Sequence, residues 1–461
     1  MRSKPNILIV MSDEHAAHAT GCYGHLEVKT PHMDRLAAEG IRFDNAYCNS
    51  PMCVPSRMSF LTGQHAFKVG GWDNGSPLSS VTPTFAHYFE AAGYESVLCG
   101  RMHMVGEDRL HGFGKRLYDD MDSWKSYNQT PKRTPEARRG SNSHVTQCGP
   151  GQGSWQEYDA NVADLTVRYL TSKAAAEEEK PWLMVSGLMF PHFPLIAPPA
   201  YYRMYDPQQL KLPSWTEETL EDQHPAIRQM RYAFRNDEQV PEETVRTALA
   251  SYYALITLVD DYLGRMLDVI DGSSLKDNTI VVYISDHGEM AGQHGIWQKQ
   301  CFYESSVKIP MIIRLPESLG GRSISHNVSL VDLIPTIMEL AGIQPPSRLS
   351  GQSLLPLIQG DLEGAPRVVF SEYHAQGMLQ AAFMVKKDHF KYNYYVEYPE
   401  QPELFQVDKD PGELVNLAGR ADMAGKLQEM HRELLSVVGD PAVIDEQARR
   451  NQEKSGISRC Y

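Results

Sequence analysis

The 461-residue sequence has no run approaching the roughly 18 uninterrupted apolar residues that a membrane-crossing helix needs, so no part of it is expected to span a bilayer. Its start, Met1-Arg2-Ser3-Lys4-Pro5-Asn6, passes directly into Ile7-Leu8-Ile9-Val10 with neither a long apolar segment nor a small-residue cleavage site, so no secretory leader is expected. Paired cysteines are lacking too. Cys22, Cys48, Cys53, Cys99, Cys148, Cys301 and Cys460 are odd in number and unpaired in spacing, which predicts reduced thiols and a cytoplasmic protein. Positive charge is in deficit: 44 Lys+Arg against 58 Asp+Glu leave a net charge of −14. That balance argues against nucleic acid or a long sulfated polysaccharide as partner and favours a small substrate. No internal repeat or low-complexity run stands out. What is present is length and apolar content. At 42% hydrophobic residues the chain can build a sizeable core, and its length exceeds that at which single cores stop growing. One large domain over 1–365 and a smaller one over 366–461 are expected.

The large part reads as strands alternating with helices, hence a mostly parallel α/β sheet. Asn6 to Met11 is a buried strand handing over to Ser12-Asp13-Glu14-His15, at the end where open sheets place ligands. Thr30-Pro31 opens a helix that Gly40 closes. A helix from about Pro83 to Ala92 precedes a strand near Glu95–Cys99, which ends in Gly100-Arg101-Met102-His103. Leu110 to roughly Tyr158 reads as long surface loops, and Tyr201 to Gln239 as an insertion without a clear period. Pro181–Phe190 is a strand ending in Pro191-His192. Val245–Ile270 is a long packed helix, whose Asp260 and Asp261 read as solvated or capping neighbours rather than ligands. Thr279–Ser285 is the strongest strand and hands over to Asp286-His287-Gly288-Glu289. Pro310–Arg314 reads as a further strand and Val331–Leu340 as a helix. Beyond Pro366, four short strands (Val368–Glu372, Gln380–Val385, Phe390–Tyr394 and Glu403–Val407) predict a small antiparallel sheet. A helix presenting Met423, Leu427, Met430, Leu434, Leu435 and Val438 is expected to cover it.

Five strand ends or loops therefore present polar groups: Asp13, Cys53 with Arg57, Arg101 with His103, His192, and Asp286 with His287; Lys299 follows from a loop. Asp13 and Asp286 are hard oxygen donors suited to Ca²⁺ or Mg²⁺, and His287 could join them around a softer ion such as Mn²⁺. A single Asp at a strand end is more often a turn residue. Cys53 lies in the Pro-bracketed string Ser50-Pro51-Met52-Cys53-Val54-Pro55-Ser56-Arg57, which suits a helix N-terminus, where dipole and free N–H groups favour an anion or an activated nucleophile. A buried structural cysteine is the ordinary alternative.

The string Cys-x-Pro-Ser-Arg with its following Leu61-Thr62-Gly63 resembles the signature of the type I sulfatases, in which an enzyme converts this Cys to formylglycine. Pro5 to Asp13, Thr30 to Gly40, His103, Pro191-His192, Ser285 to Gly288 and Lys299 occur in the same family's order, over nearly the whole chain. The resemblance implies an alkaline-phosphatase-like fold with a C-terminal four-stranded subdomain. It implies a divalent metal, calcium first with manganese or magnesium as alternatives, held by Asp13, Asp286, His287 and modified Cys53. One hydroxyl of the aldehyde hydrate would attack sulfur. Arg57 would hold the nucleophile, while Arg101, Lys299, His192 and Asn74 would bind sulfate oxygens. His192, in preference to Lys299, would protonate the leaving alkoxide, and His103 would take the proton from the second hydroxyl, expelling sulfate.

Two positions depart from the family pattern: Glu14 stands where many members have a second Asp ligand, and Arg101 where Lys is usual. Gly71-Trp72-Asp73-Asn74, Val81 to Tyr88, Gly100 to Gly106 and Leu110 to Phe113 are similar to choline sulfatases, although the tail from about Asp440 is not. For a quaternary ammonium, Trp72, Tyr373 and Glu372 are conceivable walls, with Trp72 equally readable as packing. The implied partners are a small sulfate ester, a formylglycine-generating enzyme and further copies of the chain in a homo-oligomer, with no nucleic acid and no membrane. Asp286-His287 also resembles phosphonate monoesterases and phosphodiesterases of the same superfamily, the alternative enzymatic reading. A non-catalytic anion-binding protein with an unmodified Cys53 is the alternative of another class.

Overall fold

Strand β1 (Asn6–Asp13) is buried along its whole length, because it lies inside a sheet covered on both faces. Ile7, Ile9 and Met11 enter one core while Leu8 and Val10 enter the other, which is why the sequence shows an unbroken apolar run rather than alternation. The structure, a computed structural model, describes residues 4–121, 140–176, 180–213, 222–316, 320–361 and 367–458. The expected boundary between residues 365 and 366 lies outside them, as does Cys460.

The further strands of the large sheet are β2 (Ile41–Tyr47), β3 (Glu95–Gly100), β4 (Lys115–Tyr118), β5 (Trp182–Pro191), β6 (Thr279–Ser285), β7 (Met311–Arg314) and β8 (Arg322–Ser329), and their order is β8-β2-β7-β6-β1-β5-β3-β4. Neighbours run parallel except at β7, which is antiparallel to both β6 and β2, and at Lys308–Ile309, antiparallel to β2. The sheet is thus mixed, though mostly parallel as expected. β2 and β8 carry too many polar residues to register as buried strands in the sequence, since both lie towards one margin of the sheet.

Helices α1 (Pro31–Glu39), α2 (Cys53–Thr62), α3 (Phe85–Ala91), α4 (Ser154–Ala174), α5 (Glu242–Asp271) and α6 (Leu333–Leu340) cover the two faces. α1, α4 and α5 pack Met33, Val162, Leu249 and Leu263 into the core that holds Leu8 and Val10. α2, α3 and α6 supply Met58, Phe60, Phe85 and Ile337 to the other. The loop expected from Leu110 to Tyr158 contains strand β4 and gives way to α4 at Ser154, and the insertion expected from Tyr201 overlaps helix Pro199–Tyr202 and contains helix Pro225–Ala233. Asp260 is buried rather than solvated: it accepts the N–H groups of His32 (3.0 Å) and Met33 (2.7 Å), capping α1. Asp261 accepts from the Tyr201 hydroxyl at 2.6 Å.

Strands β9 (Val368–Tyr373), β10 (Ala382–Lys387), β11 (Phe390–Tyr395) and β12 (Glu403–Gln406) form the expected antiparallel sheet in sequence order. Helix α7 (Ala424–Val438) covers it through Met430, Leu434 and Val438, against Phe370, Phe383 and Tyr392. Leu435 points away from that face and is exposed. A further helix, α8 (Pro441–Ser458), was absent from the sequence reading. It adds Ile444 and Ala448 to the same core, and its Gln452 Nε2 donates to Asp73 Oδ2 and to the His374 carbonyl, both at 3.0 Å.

Candidate active site

The three central strands deliver the first polar groups. Asp13 ends β1, Asp286 and His287 follow β6, and His192 follows β5. Arg101 and His103 come after β3, where Gly187 lets the Arg101 backbone pass: a Cβ there would meet the Arg101 carbonyl oxygen at 1.9 Å. Cys53 is the first residue of α2, so the expected helix N-terminus is present. Arg57, one turn on, points from the same helix into the site floor. Val54 N–H donates to Asn74 Oδ1 at 3.0 Å, tying the Asp73–Asn74 loop to that helix start.

The side chains of Asp13, Cys53, Asp286 and His287 offer one donor atom each, all within 4.8 Å of one another. His287 Nε2 lies 3.2 Å from Cys53 Sγ, 3.8 Å from Asp13 Oδ1 and 3.7 Å from Asp286 Oδ1. Octahedral ligands about 2.1–2.5 Å from an ion are separated by about 3.0–3.5 Å. The Cys53–His287 separation of 3.2 Å lies in that range and the 3.7 and 3.8 Å separations are slightly wider, so the quartet could hold a divalent cation with a small contraction. His287 Nδ1–H donates to the Gly288 carbonyl at 3.0 Å, leaving the Nε2 lone pair towards the quartet.

Arg57 is buried, with 1% of its surface exposed, and uses its fork on three acceptors: Asp286 Oδ2 (2.8 Å), Asp13 Oδ2 (3.0 Å) and the Arg101 carbonyl (2.9 Å). Arg101 Nε also donates to Asp13 Oδ2. Burial alone would raise the Asp13 pKa, but Arg101, His192 and Arg57 together hold it well below the usual carboxylate range. Cys53 behaves differently from the expectation of an activated thiol. Burial and the adjacent Asp13 push it up to about 12, outweighing its place at a helix terminus.

Asn74, Arg101, His103, His192 and Lys299 line one cleft of about 410 Å³ together with Cys53, so the candidate residues converge. Arg101 Nη2 donates to His103 Nδ1 at 3.0 Å; a guanidinium has no lone pair, so Nδ1 is the acceptor. Burial and Arg101 keep His103 well below its usual pKa, and burial and Lys299 do the same for His192. His192 Nδ1–H donates to the Phe193 carbonyl at 2.6 Å. Burial works against the Lys299 charge, but Cys53, Glu14 and Asp13 more than offset it and raise its pKa. The proposed ammonium walls are not in this cleft. Trp72 packs edge-on to His374 at 5.1 Å in the C-terminal core, Glu372 accepts from Phe67 N–H and pairs with His374, and the Tyr373 hydroxyl donates to the Gln376 carbonyl. Among the described residues, Trp155, Phe193 and Phe234 line it, beside Gln298, Gln300 and Gln376.

Sequence reasoning missed Asp120. It accepts the N–H groups of Met102 (2.8 Å), His103 (2.8 Å) and Met104 (3.1 Å), cradling the loop that carries Arg101 and His103, and pairs with Arg116 at 2.8 Å. His103 sits at φ 59, a strained conformation that these bonds hold in place. Asp120→Ala is expected to cost about 2–4 kcal/mol in stability and about 10–100-fold in kcat/KM. Chemical denaturation and steady-state kinetics read the two effects.

The fold and the anion-binding cleft above a carboxylate–imidazole cluster define an alkaline-phosphatase-like hydrolase. The sulfatase family model matches residues 5–343, and a model described as N-sulphoglucosamine sulphohydrolase, C-terminal, matches 292–439. The chain is 32% identical to a choline-sulfatase of Rhizobium meliloti (97% of this chain, 90% of that protein), and 30% identical to arylsulfatase K of Xenopus laevis (95% and 83%). The phosphonate monoester hydrolase of Agrobacterium radiobacter superposes with a TM-score of 0.78 at 25% identity, covering 94% of this chain and 95% of that one. The chain belongs to the sulfatase family and is a sulfuric ester hydrolase. No helix among the described residues is long and apolar enough to cross a membrane.

Proposed function

We propose that the protein hydrolyses a small sulfate monoester with a formylglycine made from Cys53 and a divalent metal, calcium first. The observation that carries this reading is the convergence of Cys53 with Asp13, Asp286 and His287 under a cleft lined by Arg101, His192 and Lys299. Asp13, Asp286, His287 and the modified residue would hold the metal, whose chemistry is Lewis-acid polarisation of oxygen. Converted Cys53 supplies a hydrated aldehyde as nucleophile. Arg57 fixes Asp13 and Asp286 beneath it. Arg101, Lys299 and Asn74 hold the sulfate oxygens, where a planar fork at 101 spans two of them. Lys299 protonates the leaving oxygen, rather than His192, the donor the sequence favours, because His192 is held below its usual pKa and spends its proton from Nδ1 on the Phe193 carbonyl. His103 accepts the nucleophile's second proton. Because Arg101 occupies His103 Nδ1 in the free enzyme, sulfate binding that turns Arg101 is what releases that lone pair.

Choline-sulfatase similarity supports an alkyl ester, while the cleft's aromatic and amide walls suit other small alcohols as well. The test is peptide mass analysis of the Cys53 segment, with sulfate release from choline sulfate and 4-nitrophenyl sulfate. A mass deficit matching thiol replaced by aldehyde, with turnover of either ester, is expected. An unmodified thiol and no turnover would sink the proposal. The Asp286–His287 pair and the Agrobacterium neighbour favour a second reading, phosphonate monoester or phosphodiester hydrolysis. Faster turnover of phenyl phosphonate monoesters than of sulfate esters would establish it.

A further inference from the structure

We propose that Glu14 is a positioning residue for Lys299 and His192, and not a member of the metal-ligand set, an inference that rests on the sulfate-ester reading above. Asp13 and Glu14 are consecutive, yet their carboxylates serve different partners. Asp13 joins the quartet with Cys53, Asp286 and His287. Glu14 Oε2 instead lies 2.8 Å from Lys299 Nζ and 3.3 Å from His192 Nε2. Glu14 does share a second grouping with Asp13 and His192. An ammonium 2.8 Å from its oxygen opposes a cation there, because like charges in a buried site repel strongly.

The backbone fixes this direction. Glu14 sits at φ 69, where only glycine is comfortable, and it is locked by its N–H on Asp286 Oδ1 (3.1 Å) and by the Tyr252 hydroxyl on its carbonyl (2.9 Å). From that anchor the side chain, one methylene longer than Asp, spans from the end of β1 to the loop carrying Lys299. That loop is itself unusual: Gln298 and Gln300 flank Lys299 at φ 77 and 71, and Lys299 N–H donates to Gln300 Oε1 at 3.1 Å.

The chemical consequence concerns the leaving group. As the nucleophile's oxygen bonds to sulfur and the bond from sulfur to the alcohol oxygen breaks, the electron pair stays on the alcohol oxygen and a proton comes from Lys299 Nζ, with His192 Nε2 beside it as an unprotonated neighbour. Both nitrogens face one oxygen of Glu14, which therefore sets where the proton donor points. A good leaving group needs that proton little, a poor one needs it much.

The experiment uses the full chain, with Glu14→Gln and Glu14→Asp as variants whose folding is checked by thermal melting. Two readouts are taken: Ca²⁺ titration of metal-stripped protein by calorimetry, and kcat with phenyl sulfate against 4-nitrophenyl sulfate. Glu14→Gln is expected to lose about 30-fold on phenyl sulfate and less than about threefold on 4-nitrophenyl sulfate, with Ca²⁺ affinity within about threefold of wild type. Glu14→Asp, too short to reach Lys299, is expected to follow it. Ca²⁺ binding weakened tenfold or more would make Glu14 a ligand and overturn the proposal, as would equal losses on the two esters. If the wild type hydrolyses neither ester, the sulfatase reading has failed on its own account. The titration then still decides this one: an unchanged affinity supports it and a tenfold loss overturns it.

Discussion

Cys53→Ala is expected to lower sulfate release by at least about 10⁴-fold while leaving the protein folded, because under the proposed chemistry it removes the nucleophile and little else. The thiol is buried, with 1% of its surface exposed, and its Sγ contacts are polar neighbours, Asp13 Oδ1 at 3.7 Å and His287 Nε2 at 3.2 Å. Taking away one sulfur atom leaves a small gap and one weakly bound acceptor, His287 Nε2, while Asp13 keeps Arg57 and Arg101 and the His287 ring keeps its Nδ1 bond to Gly288. Against unconverted wild type, which still carries the thiol, a thermal midpoint within about 3 °C is therefore expected. The comparison of rates should be made on protein produced with the maturing enzyme, with sulfate quantified directly. A variant retaining a tenth of the wild-type rate would mean that Cys53 does not supply the nucleophile.

Arg57→Met should produce the largest loss of stability of any single change in the site, about 3–5 kcal/mol, along with loss of activity. The guanidinium bridges two fully buried carboxylates, and methionine fills its volume without answering either. Asp13 keeps Arg101, whereas Asp286 is left with backbone N–H groups from Glu14 and His287. Two consequences follow that a simple packing defect would not show. Added Ca²⁺ should recover part of the loss, because a cation bound by Asp13 and Asp286 supplies the missing charge. The deficit should also shrink in acid. Asp13 has a folded pKa held well below its ordinary value, so its contribution is present above the unfolded pKa, about 4, and is lost as pH falls through the folded one. Urea denaturation at pH 7 and below pH 4, with and without chelator, measures both. A variant within 1 kcal/mol of wild type at pH 7 would contradict the bridging role.

The strand ends were the legible part of this site. Asp13, Arg101, His192 and Asp286 each follow an apolar run, and a parallel sheet brings such ends to one edge whatever their separation in sequence. Asp120 was illegible for the opposite reason. Its partners are backbone N–H groups of residues 102–104, which leave no trace in residue type. The Trp72 wall failed because an aromatic residue beside a site motif carries no sign of which way it faces, and here it faces the core under α7 and α8. Of the two readings the sequence leaves open for the Cys53 thiol, activated at a helix terminus or buried and protonated, magnitudes favour the second. A helix terminus supplies on the order of 1 kcal/mol, and withdrawing a thiolate from water beside a carboxylate costs several times that. The direction of β7 was hidden as well, since the apolar run Met311-Ile312-Ile313 reads the same whichever way it runs.

The near-complete enclosure of Cys53 also bears on how a working molecule comes to exist. If Cys53 is converted as proposed, a second enzyme has little access to a side chain that sits at the start of α2 among Asp13, Asp286 and His287, with 1% of its surface exposed, once those strands have closed around it. Under the proposed chemistry, conversion has to precede closure, on the nascent or newly released chain, in a race against folding. A chain that folds first is locked out for as long as it stays folded. The active fraction of a population is then decided once, at synthesis, by the supply of maturing enzyme relative to translation.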